Sequence, residues 1–191
     1  MKTNRAMSAK VRALFLSGIA ALAVQIPPAL AADYGLGVSH GDDTTVLIPI
    51  RLESLTVEPE VLFSRSKTKS EALAGSSNST FTLYGLATGM YARRTLGPSF
   101  EGYFGGRVGI QKFRNSGDSG LGTSSIQQKG DSWFAGPTVG LEHYFSKQFS
   151  IALDVGLIYD HIKNKSSFPT DQTITTNRVD TTTRMLLRGY F

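Results

Sequence analysis

The stretch FEGYFGGRVGIQ, residues 100–111, decides the fold. Taken two at a time, it sorts into Phe100, Gly102, Phe104, Val108 and Ile110 on one side and Glu101, Tyr103, Gly105, Arg107, Gly109 and Gln111 on the other. A helix would wrap these residues around all its faces, whereas a strand, with its period of two, separates them into a greasy row and an ionic row. The neighbouring segments repeat the pattern. Ala135, Pro137, Val139 and Leu141 stand against Gly136, Thr138, Gly140, Glu142 and Tyr144. Ile151, Leu153, Val155 and Leu157 then oppose Ala152, Asp154, Gly156 and Asp160, and Thr183, Met185, Leu187, Gly189 and Phe191 oppose Arg184, Leu186, Arg188 and Tyr190.

No stretch beyond the N-terminus keeps a helical period with caps. Alternating segments punctuated by turn residues predict about eight strands: Tyr34 to His40, Thr45 to Leu52, Leu55 to Lys67, Phe81 to Thr95, Ser99 to Phe113, Trp133 to Phe145, Phe149 to Lys163 and Arg178 to Phe191. Three connections are very short: Glu53-Ser54, Leu96-Gly97-Pro98 and Ser146-Lys147-Gln148. Between them lie the brief link GDDT and the longer polar segments TKSEALAGSSNST, RNSGDSGLGTSSIQQKGD and NKSSFPTDQTITTN. Short and long alternate strictly, which in an up-and-down meander gathers the tight turns at one end and the loops at the other. The last segment, RMLLRGYF, ends on an aromatic, as expected of a final strand that pairs with the first and closes the wall.

Extending the parity places Arg51, Glu58, Glu60, Arg93, Glu101, Arg107, Glu142, Asp154, Arg184 and Arg188 on the ionic face, five cations facing five anions. If that face met lipid, each Arg near the bilayer midplane would cost about 2–4 kcal/mol, and several would exceed a domain's net stability of about 5–15 kcal/mol. Two arrangements remain. In a soluble barrel the ionic face would look outward, and in a membrane barrel it would line the lumen. Three features favour the lumen: repeated glycine weakens a solvent-facing strand but makes room inside a narrow barrel, the connections are asymmetric, and the chain ends on an aromatic. The expected fold is all-β, an eight-stranded antiparallel up-and-down transmembrane β-barrel.

The N-terminus has another character. MKTNRAMSAKVR is basic, ALFLSGIAALAV is apolar but shorter than the roughly 20 residues that span a bilayer, and Ala29 and Ala31 form an A-x-A cleavage pattern. Residues 1–31 read as a secretory signal peptide cut after about Ala31, with Ala32 the alternative, and 32–191 as the barrel domain. Cleavage removes Lys2, Arg5, Lys10 and Arg12 and no acidic residue, leaving only about one unit of the formal charge of +5. The basic balance therefore belongs to targeting and gives no support for nucleic-acid binding. With no cysteine in the chain, an exported protein has neither a disulfide framework nor thiolate metal sites.

The chain resembles the small outer-membrane β-barrel family that includes opacity-type porins and OmpA-like membrane domains. The residues that carry the likeness are YGLGVSHGDDTTVLIPIRLE, the following LTVEPEVLFSRSK, FAGPTVGLEHYF and the terminal LLRGYF. The resemblance implies a Gram-negative outer membrane location and insertion by the barrel-assembly machinery, which recognises a C-terminal strand ending in Phe, here Phe191. Gly189 departs from that signal, which more often has a bulky residue there.

Small barrels of this kind also include enzymes. His40, His143 and His161 form no H-x-S pair and show no metal-ligand spacing, although Asp42, Asp43 and Asp160 lie close in sequence to His40 and His161. Glu58 and Glu60 share a face, as paired carboxylates in acid/base catalysis do, yet salt bridges to the lumen arginines are the expected use. The expectation is a protein without enzymatic activity and without a cofactor, with a salt-bridged, plugged lumen and a structural, surface-contact role toward an extracellular partner. The alternatives are a small porin-like channel and, less favoured, a lipid-modifying enzyme. Lys67, Lys69, Lys112, Arg114, Lys163 and Lys165 gather at the outer strand ends as candidate lipopolysaccharide contacts or as a solvated rim.

Overall fold

Each alternating segment forms a strand, and the strands close on themselves. The structure, a computed structural model, describes residues 33–41, 44–72, 75–118, 125–166 and 172–191. The expected signal peptide lies outside the described residues. The strands are β1 (Asp33–His40), β2 (Thr44–Leu47), β3 (Ile50–Leu52), β4 (Leu55–Ala72), β5 (Gly75–Gly97), β6 (Phe100–Asp118), β7 (Ser125–Ser146), β8 (Phe149–Ser166) and β9 (Gln172–Tyr190). β2 and β3 both lie between β1 and β4, β4 to β9 pair in sequence, every pairing is antiparallel, and β1 also pairs with β9, from Gly35↔Tyr190 to His40↔Met185. The Phe191 amide donates to the Tyr34 carbonyl at 2.9 Å, so the last residue is stitched to the first strand.

Where one strand was expected from Thr45 to Leu52, the chain forms β2 and β3 with Ile48 and Pro49 between them. Proline has no N–H for the ladder. The break is bridged instead by the Gly35 amide donating to Pro49 and the Ile48 amide donating to Pro59, each at 3.0 Å. Counting β2 and β3 as one wall element gives a ring of eight.

The greasy row faces out and the ionic row faces in. Val139 and Leu153 are 60% and 55% exposed, whereas Arg107 and Glu142 are 9% and 3% exposed. The inside of the wall is built from glycine and tyrosine in register. A Cβ on Gly89 would run into the Tyr91 ring, and one on Gly140 into the Tyr103 ring. Both rings can therefore lie across the strand and fill the lumen where a side chain at the glycine would hold them off.

The strands are longer than the alternation suggests. The polar segments expected as loops continue the hairpins, with β4 reaching Ala72, β5 starting at Gly75, β6 reaching Asp118, β7 starting at Ser125 and β9 starting at Gln172. Above the bilayer both faces of a hairpin meet water, so the apolar/polar period disappears while the backbone ladder persists. About 9–11 residues of strand cross a membrane, so β5, with 23 residues, projects well beyond it. The β1–β2 hairpin does not rise with the others. It ends at His40 and Thr44, paired with Met185 and Phe63. Above it, among the described residues, β4 and β9 each have one hydrogen-bonded neighbour, which leaves a notch in the wall.

Candidate functional site

The lumen brings all ten of the charged residues named from the sequence into one column. At the tight-turn end, Glu101 takes both Arg51 at 2.6 Å and Arg93 at 3.2 Å. Arg93 also donates to the carbonyls of Leu52 and Glu53 at 3.1 and 2.8 Å, tying the first tight turn to the wall. Tyr144 donates to Glu101 at 2.9 Å and is contacted by Arg51. The Arg51 guanidinium lies 4.8 and 4.6 Å from the ring centres of Tyr144 and Tyr190, within cation–π range.

One layer up, Arg188 spans Glu58 at 2.6 Å and Glu142 at 3.0 Å. The contact to Glu58 is close as a charge pair but not aligned as a hydrogen bond. Glu142 also accepts from Tyr190 at 2.9 Å and from Ser150. In the next layer Arg184 bridges Asp154 at 2.7 Å and Glu60 at 3.1 Å, and Arg107 grips Glu60 through both Nε and Nη2, the latter at 2.6 Å. Tyr91 takes a further bond from Arg184 at 3.3 Å. Next to Glu58 and Arg188 is a void of only about 10 Å³, about the room one water needs.

The lumen is not ionic throughout. Leu62, Leu83, Phe134 and Ile158 are buried together, with Phe81, Ala87 and Phe113 packed against them, and Leu47 and Leu186 sit with Tyr91 and Tyr103 lower down. These apolar residues add to the Leu186 and the tyrosines that the alternation already places on the inward face. In the sequence Leu157-Ile158, Trp133-Phe134 and Val61-Leu62-Phe63 each place adjacent apolar residues on both sides of a strand, which leaves the inward member unmarked.

Beside this cluster the lumen widens into a cup of about 420 Å³, with Leu62, Phe134 and Ile158 in its wall. Arg107 and Arg184 form its floor. Asp160, Arg178 and Asp180 stand at its rim, with Arg178 at 3.3 Å from Asp160 and 2.6 Å from Asp180.

The histidines are far from one another along the ladder. His143 lies on the outside between Phe100 and Phe145, its Nδ1 3.1 Å from the Ser99 carbonyl. His161 stacks on Trp133 and its Nδ1 lies 2.7 Å from Asn177 Oδ1. His40 sits at the tip of β1, and Asp42 and Asp43 lie outside the described residues. Among the described residues, no three His, Cys, Asp or Glu side chains cluster as metal ligands do.

Lys67, Lys69, Lys112, Arg114, Lys163 and Lys165 are exposed on the outer faces of the extended strands. The register adds two that the sequence reading omitted. Arg65, Thr82, Arg114, Lys129, Lys165 and Thr173 are successive partners across β4 to β9. The adjacent rung toward the barrel carries Phe63, Tyr84, Lys112, Asp131 and Lys163. Four cations thus share one rung beside a rung that holds two aromatics.

No protein-family model and no curated protein matches the chain. Solved structures do. A major outer membrane protein from Thermus thermophilus is similar at 12% identity and a TM-score of 0.62, over 84% of this chain and 100% of that one. Neisserial surface protein A matches at 18% identity, TM-score 0.48, over 84% of this chain and 94% of that one. CarO of Acinetobacter baumannii matches at 8% identity, TM-score 0.47, over 83% and 97%. The Thermus likeness and the closed ring of eight together show the fold of the small outer-membrane β-barrels.

Proposed function

We propose that this chain, with the fold of the small outer-membrane barrels, resides in the bacterial outer membrane as a non-enzymatic, plugged barrel that holds tall hairpins out for surface contact. One observation carries the reading: the Arg188 and Arg184 layers are buried across the lumen together with Tyr91 and Tyr103, and the void beside Glu58 and Arg188 is about 10 Å³. A water-filled path would need those layers to part. In planar bilayers the purified protein should give no resolved conductance steps. Reproducible single-channel steps would overturn the plugged reading in favour of a small diffusion pore, the second reading, which the outer cup of about 420 Å³ supports.

The signal peptide directs export, and Phe191 is the handle by which the assembly machinery takes the last strand. The rung of Arg65, Arg114, Lys129 and Lys165 is suited to the phosphates of lipopolysaccharide, because it adjoins Phe63 and Tyr84 and presents charge outward. Replacing Lys129 and Lys165 together by Glu should lower the lipopolysaccharide retained by the purified barrel. Unchanged retention means that the rung is a solvated rim. Replacing His40 and His161 should leave the lipid A mass spectrum unaltered, and an altered spectrum would support the enzymatic alternative.

A further inference from the structure

The cup above the ionic layers has the character of a binding site. Its floor is electrically balanced, since Arg107 and Arg184 are matched by Glu60 and Asp154. One wall is apolar, made by Leu62, Phe134 and Ile158. The rim has two carboxylates, Asp160 and Asp180, which share the single guanidinium of Arg178. By strand alternation no other charged side chain of the described residues points into this part of the lumen, so the rim has one negative charge left over.

Asp160 marks where that charge acts. It is only 7% exposed and lines the cup. Its Oδ2 accepts from Arg178, but its Oδ1 is buried without a hydrogen-bond partner in the protein. A buried carboxylate oxygen without a donor is costly, and a ligand donor would relieve that cost. The volume of the cup falls in the range of small-molecule sites.

The cup also opens sideways. Thr181 lines it, although alternation puts Thr181 on the outer face of β9. Its edge is exposed there because β1 stops at His40. The notch lies where the outward face turns from apolar, at Phe63 and Met185, to polar, at Arg65 and Thr183. A molecule that is partly greasy and partly charged would concentrate at that height.

We infer that the outer cup binds a small amphipathic monocation, whose ammonium group donates to Asp160 Oδ1 while its apolar body lies on Leu62, Phe134 and Ile158. The floor excludes an anion from the same pose, because Arg107 and Arg184 are already neutralised and the rim is negative. The proposal does not depend on whether the barrel conducts, since the cup lies above the plug.

The test uses the full mature barrel in lipid nanodiscs with phenethylammonium as probe, and binding is followed by ligand-observed NMR and calorimetry. Saturable binding with one site per chain is expected. Asp160→Asn should weaken it about tenfold or more, as loss of a charged hydrogen bond does, and Thr182→Phe should abolish it by filling the cup. Both variants must keep the gel shift between unheated and boiled samples. Asp180→Asn, at the more exposed carboxylate, should weaken binding less than Asp160→Asn. Absence of saturable binding to the wild type, equal affinity in Asp160→Asn, or equal uptake of phenylacetate would overturn the proposal.

Discussion

Arg188 lies between Glu58 and Glu142 with almost none of its surface exposed. In that setting the net value of the pair is small, because desolvation offsets the attraction, but removal of one partner strands the others. Arg188→Ala should therefore cost about 3–5 kcal/mol, read as a lower urea midpoint and a lower temperature for the gel shift. The cost of a glycine substitution should depend on which ring lies over it. Gly140→Val forces the Tyr103 ring aside and should cost about 1–3 kcal/mol, whereas Gly97→Ala meets nothing within 4 Å and should be close to neutral. The same unfolding curves measure both. At this scale the charged lining was legible, since ten charged residues at one parity have no stable place against lipid. Phe134, Ile158 and Leu62 were not, because an apolar side chain at an inward position looks the same as one at an outward position once it has an apolar neighbour.

For the elements, the sequence announced where each strand crosses the bilayer but not how far it continues. The alternation from Phe100 to Gln111 exists because one face meets acyl chains and the other a packed lumen. At Arg114 and beyond, both faces meet water and nothing in the side chains marks the ladder, although β6 remains paired with β5 and β7 to Asp118. Ladders without a packed face open more readily. Hydrogen exchange should therefore divide β6 in two, with amides of 103–111 exchanging at least about tenfold more slowly than those of 114–118. Uniform protection along β6 would mean that the projecting hairpins pack into a core of their own. Pro49 shows the converse limit: the alternation from Thr45 to Leu52 predicts one strand, but the missing N–H divides it into β2 and β3.

The whole molecule depends on a seam far shorter than the ladders that join β4 to β9. β1 and β9 share six register pairs, Gly35↔Tyr190 to His40↔Met185, against eighteen between β8 and β9. In lipid an open seam would leave backbone donors and acceptors unsatisfied at several kcal/mol each, so these six pairs decide whether the sheet is a barrel at all. Closure was foreseeable from the even strand count and the short turns, but its register was not, because which residue of β1 meets which of β9 depends on the stagger of the whole ring. The chain contains no cysteine, so a paired substitution reports on the seam alone. Val38 and Leu187 are direct partners on the lipid face, at the spacing a disulfide accepts between facing strands. Val38→Cys with Leu187→Cys should oxidise readily in the folded protein and, by tying the two ends of the wall, keep boiled samples at a compact gel mobility until a reductant is added. Moving one cysteine by a single residue, to Leu186→Cys, turns its side chain into the lumen and should abolish the crosslink. A crosslink that forms equally in both pairs, or in neither, would mean that the first and last strands do not meet in this register.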